Sequence, residues 1–123
     1  MITVDGRGNI EYTRGTDETL TVNLFEMPGR TPYTMRTGER LTLTVTRYDG
    51  VNPASGSVIQ SSSTTNVISI TRAQTLTLEP GRYAYDIQLR RGSSSNYTYK
   101  TVVGGDKSGP LDFYIVEDIT HNG

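Results

Sequence analysis

The stretch LEPGRYAYDIQL, Leu78 to Leu89, decides the fold. Pro80-Gly81 interrupts the chain, and a two-residue period starts immediately after it. Tyr83, Tyr85, Ile87 and Leu89 alternate with Arg82, Ala84, Asp86, Gln88 and Arg90. Bulky side chains at every second position make a strand with one buried face. Two tyrosines at the head of that face set a choice between an ordinary edge strand and a specific corner built on the Pro-Gly turn.

Outward from this stretch the same period recurs. Leu20, Val22 and Leu24 alternate with Thr19, Thr21 and Asn23; Leu41, Leu43 and Val45 with Thr42, Thr44 and Thr46; Leu111, Phe113 and Ile115 with Asp112, Tyr114 and Val116. Shorter strands are expected at Ile10–Arg14, Val58–Gln60, Asn66–Thr71, Thr75–Leu78 and Tyr97–Val103, eight or nine in all, with no helix of normal length. EMPGRTP (Glu26 to Pro32), YDGVNPASG (Tyr48 to Gly56), RGSSSN (Arg91 to Asn96) and GGDKSGP (Gly104 to Pro110) carry the Gly, Pro, Asn and Ser of turns. RGSSSN reads as a hairpin tip, and QSSSTTN (Gln60 to Asn66) as a mobile polar loop. No repeat or composition shift divides residues 1–123, so a single domain is expected, ordered over about 10–119 with loose termini.

Composition agrees with an all-β chain. Hydrophobic residues are only 33%, and 19 threonines, β-branched and suited to a half-buried pleated surface, make up part of the difference. The net charge of −1 gives no reason to expect nucleic acid or a membrane surface as partner. Cysteine is absent, which favours folding in a reducing cytoplasm. MITVDGRGNIEYTRG shows no signal peptide, and no window reaches the ~20 apolar residues of a membrane helix.

In immunoglobulin-like sandwiches a tyrosine near the start of strand F caps the preceding corner, two residues before the second core cysteine. Pro80 and Gly81 supply that corner here, Tyr83 is the capping tyrosine, and Tyr85 fills the cysteine's place with bulk. The expected fold is an immunoglobulin-like β-sandwich of about seven to nine antiparallel strands.

Chemistry is hard to assemble from this inventory. The only histidine, His121, lies in the C-terminal tail, and with no cysteine a transition-metal site has no ligand set. Asp17 with Glu18, Asp106, and Glu117 with Asp118 lack the dense oxygen alternation of a calcium loop. GGDKSGP shares only glycines with a phosphate-binding loop, since Pro110 and a strand follow where a helix is required. The serines have no partner base. No catalytic residue, cofactor or metal is therefore expected. Tyr97, Tyr99 and Tyr114 are a candidate aromatic surface for sugar, weighed against cross-strand packing.

Three segments together, ITVDGRGNIEYTRGTDETLTVNL, LEPGRYAYDIQL and YKTVVGGDKSGPLDFYIVEDIT, resemble the immunoglobulin-like domains of tailed-phage and prophage virion proteins. The N-terminal domain of the baseplate upper protein family is one of these. The resemblance runs from about Tyr12 to Thr120 and rests most on the Pro-Gly-x-Tyr-x-Tyr-Asp-Ile corner and the closing Glu117-Asp118-Ile119-Thr120. It implies a virion structural protein of baseplate, tail or neck, folded in the host cytoplasm, a homo-oligomer that binds other virion proteins. The chain departs from that family in stopping at Gly123, without the long receptor-holding region. The alternative is a carbohydrate- or cell-surface-binding module with a host-surface glycan as partner.

Overall fold

The structure, a computed structural model, describes residues 1–26, 29–93, 95–104 and 110–117. In chain order its elements are β1 (Ile2–Val4), β2 (Ile10–Thr13), β3 (Glu18–Thr21), β4 (Phe25–Glu26), β5 (Thr31–Pro32), β6 (Arg40–Thr46) and β7 (Tyr48–Asp49). Then follow β8 (Asn52–Pro53), β9 (Ile59–Ser63), β10 (Val67–Ile70), α1 (Arg72–Leu76), β11 (Gly81–Ser93), β12 (Asn96–Val103) and β13 (Leu111–Val116). The chain is all-β, and none of its described helices is long and apolar enough to cross a membrane.

Seven strands make one curled sheet in the order β1-β2-β13-β11-β6-β9, with β12 joined to β11. The strand read first in the sequence is the axis of this sheet. Along one edge β11 pairs β6 from Ala84 to Arg90. Along the other it pairs β13 from Gly81 to Tyr85, then β12 from Ile87 to Ser93. Two strands thus share one edge end to end, and the sheet forks at Asp86.

Not every pair is antiparallel as expected. β13 runs parallel to β2, with Phe113 opposite Ile10 and Ile115 opposite Tyr12. Parallel neighbours need a long connection, and most of the domain lies between these two.

β3 and β10 pair separately, Leu20 opposite Ile68. Ile68 and Ile70 join the inward side chains of the large sheet in one apolar cluster. At its centre Phe113 stacks on Tyr12 with ring centroids 5.8 Å apart and meets Tyr85 edge-on at 6.2 Å. The Tyr12 hydroxyl reaches the carbonyls of Thr16 (2.6 Å) and Ile70 (3.1 Å), so its polar end is satisfied inside the core.

Three further expectations are corrected. Thr75–Leu78 is not a strand: α1 covers Arg72–Leu76. Across the helix and its exit Thr75 and Leu78 are buried while Leu76 is 41% exposed, so burial recurs three residues apart rather than two. The helix start is held by one acceptor outside it and one within it, Arg72 N–H donating to Asp17 Oδ1 at 2.6 Å and Thr71 N–H to Gln74 Oε1 at 2.8 Å. The N-terminal stretch is tied down, because β1 pairs with β2 around a turn whose Arg7, Gly8 and Asn9 amides all donate to Asp5 Oδ1. Most of QSSSTTN is strand: Gln60–Ser63 belongs to β9, where the Ser62 and Thr42 hydroxyls lie 3.0 Å apart across the pair. Met27 and Pro28, Ser94, residues 105–109 and the tail from Asp118, with His121, lie outside the described residues.

Candidate functional site

Alternation along β11 sends Tyr83, Tyr85, Ile87 and Leu89 into the core and Arg82, Ala84, Asp86, Gln88 and Arg90 to the outer face of the large sheet. At the head of the strand, the Tyr83 hydroxyl donates to the carbonyl of Glu79 at 2.7 Å, behind the turn at Pro80 and Gly81. Gly81 opens β11 at φ +151°, a value side-chain-bearing residues rarely adopt. Tyr85 is 5% exposed, and its hydroxyl donates to the Gly8 carbonyl, joining β11 to the β1–β2 turn. Burial pushes its pKa up to about 12. The two hydroxyls thus tie the head of β11 to the residue before its turn and to the β1–β2 turn.

The aromatic surface is divided. Tyr97 lies opposite Gly92 and Tyr99 opposite Arg90, whereas Tyr114 lies opposite Arg82. Arg82 and Arg90 are eight residues apart on β11, about 26 Å at about 3.3 Å per residue. Tyr97 is covered by the Arg90 guanidinium, 4.1 Å above its ring, and Tyr99 stands 63% exposed. Tyr114 belongs to another network, its hydroxyl donating to Asp112 Oδ2 at 3.2 Å.

That network is fully paired. Asp112, 8% exposed, accepts from the Tyr48 hydroxyl at 2.6 Å and from Arg82 Nε at 2.9 Å, and the Arg82 guanidinium sits 4.4 Å over the Tyr48 ring. Burial works to raise the carboxyl pKa, but the Tyr48 and Arg82 hydrogen bonds outweigh it and hold Asp112 below the ordinary carboxylate value. Tyr48 is pushed up to about 12 by burial and by the carboxylate it serves.

Asp86, on the same face two register steps along, is the opposite case. It lies opposite Thr44 on β6 at the floor of an open groove of about 440 Å³. Thr46, Pro53, Ala54, Ala84, Tyr85, Thr101, Gly104 and Pro110 complete the lining with Thr44. Its carboxylate has no hydrogen bond or ion pair among the described residues, and burial alone raises its pKa. The groove owes its shape to the fork. A bulge between Ile87 and Gln88 puts Val103 opposite Ile87 but Thr101 opposite Gln88, so Val102 and Val103 both pack on the core and Thr101 is freed for the outer face.

Sequence reasoning placed Asp86 on the polar face without singling it out. The available signal was an aspartate in the middle of a strand apolar on its other face, where Asp is disfavoured. Among the described residues no three His, Cys, Asp or Glu side chains gather as a metal-binding group. Compared with protein-family models, with curated proteins and with solved structures, the chain finds no match.

Proposed function

We propose that the chain is an immunoglobulin-like structural domain of a tailed-phage or prophage virion, a component of baseplate, tail or neck. It works by self-assembly and by binding other virion proteins, without catalysis. The observation that carries the fold part of this reading is strand order. In a variable-type immunoglobulin sandwich the strands G, F, C and C′ share one sheet, and B and E lie in the other. Here β13, β11, β6 and β9 are neighbours in that order while β10 and β3 pair apart. The chain order β3, β6, β9, β10, β11, β13 then follows B, C, C′, E, F, G. The hydrogen bond from Tyr83 to Glu79, just before the F strand, supports the same alignment.

The virion assignment rests on the sequence resemblance, and an open sheet edge supports assembly. β9 ends the large sheet with Ile59–Ser63, a segment free of charge and proline, two of the devices that blunt an edge. A carbohydrate-binding reading needs its aromatic platform gathered, and β11 keeps Tyr114 far from Tyr97 and Tyr99. Light scattering behind a sizing column, across a concentration range, tests self-assembly. A discrete oligomer matching a rotational symmetry of the particle is expected; a monomer at every concentration overturns it.

A further inference from the structure

The outer face carries two aspartates in adjacent environments, and their difference points to a ligand. Asp112 shows how this face satisfies a buried carboxylate, with a guanidinium and two phenols. Asp86 has lost part of its water and gained no hydrogen bond or ion pair among the described residues, which in a folded chain costs free energy. The cations on its own strand are committed elsewhere. Arg82 is paired with Asp112 at 2.9 Å, Arg91 with Glu39 at 3.1 Å, and Arg90 lies stacked on Tyr97 at 4.1 Å.

The lining defines what would complete the site. Thr44, Thr46 and Thr101 offer hydroxyl oxygens around the carboxylate, and Pro53, Ala54, Ala84 and Pro110 offer an apolar wall. A guanidinium fits both parts: five N–H donors in a planar fork suit a carboxylate with surrounding hydroxyl acceptors, and the methylene stem suits the wall. An ammonium is more strongly hydrated and uses fewer acceptors. We propose that the groove over Asp86 receives an arginine side chain from a partner chain, with Asp86 as its counter-ion and the three threonines taking the remaining donors. The proposal rests on the reading of this domain as a protein-binding module and identifies the chemistry of one contact.

The test is a two-dimensional amide NMR titration of the whole chain with Nα-acetyl-arginine amide, beside its lysine and citrulline counterparts. Citrulline keeps the shape and loses the charge. The expected result is saturable shifts confined to residues 84–87, Thr44 and Thr101, with arginine binding at least about tenfold tighter than either counterpart. Asp86→Asn, in a chain whose spectrum stays dispersed, should weaken it by a similar factor. Shifts spread over every surface carboxylate, equal binding of citrulline or lysine, an unchanged titration in Asp86→Asn, or no saturable shift each overturn the proposal. A monomer in the light-scattering experiment bears on self-assembly alone and leaves this titration decisive.

Discussion

At the scale of single residues, the polar groups of this domain differ chiefly in what compensates their burial. Asp86 has no compensating partner among the described residues, so burial raises its carboxyl pKa in the fold, and stability contributed by the neutral form is lost as pH rises through that value. Asp86→Asn should therefore unfold at higher denaturant than the parent at pH 7, and the difference should shrink at pH 3, where both forms are neutral. Urea melts at the two pH values read this directly. The tyrosines set the other limit. Tyr48 and Tyr85 ionise only near pH 12 in the fold, against about 10 in the unfolded chain. Their contribution is complete below pH about 10 and is lost as pH rises toward 12, because the unfolded chain gives up its phenolic protons first. Ultraviolet titration of the tyrosinate band should show a late-ionising fraction, and far-UV circular dichroism should show unfolding as that fraction ionises.

At the scale of elements, glycine governs the arm formed by β11 and β12. Gly92 sits at φ +106°, and a Cβ there would collide with the backbone carbonyl of Asn96. Gly92→Ala should cost about 1–3 kcal/mol, concentrated in the arm. Hydrogen exchange should quicken for the β12 amides and stay slow in β6, which pairs the other edge of β11. The elements also show what a sequence can reveal. β6, β11 and β13 were legible because Leu41, Leu43 and Val45, Tyr83 to Leu89, and Leu111 to Ile115 keep a strict alternation over one buried face. α1 was illegible because five residues are too few to display a helical period, and Thr75-Leu76-Thr77-Leu78 imitates an alternating strand. The groove over Asp86 was illegible for a different reason. It is made by two strands meeting end to end and by a bulge, and pairing across distant segments leaves no local pattern.

At the scale of the whole molecule, stability converges on a single aromatic side chain. Phe113 has no exposed surface and touches both Tyr12 and Tyr85, so it ties β2, β13 and β11 together. Phe113→Ala should cost about 3–5 kcal/mol, a large fraction of the about 5–15 kcal/mol available to a domain. Calorimetry should show a fall in melting temperature of well over ten degrees, or no cooperative transition at all; a fall of only a few degrees would mean that the core collapses around the deletion. The parallel seam between β2 and β13 acts at the same scale, and its consequence concerns time. A ribosome releases Ile10 and Tyr12 early, yet the strand that covers them, Leu111–Val116, is the last of the described strands to emerge. Until then the sheet exists in two unjoined pieces with apolar side chains in water, so vectorial synthesis gives this chain no early refuge. The seam between β2 and β13 therefore closes only after Leu111–Val116 has left the ribosome, which makes it a late, long-range step of folding.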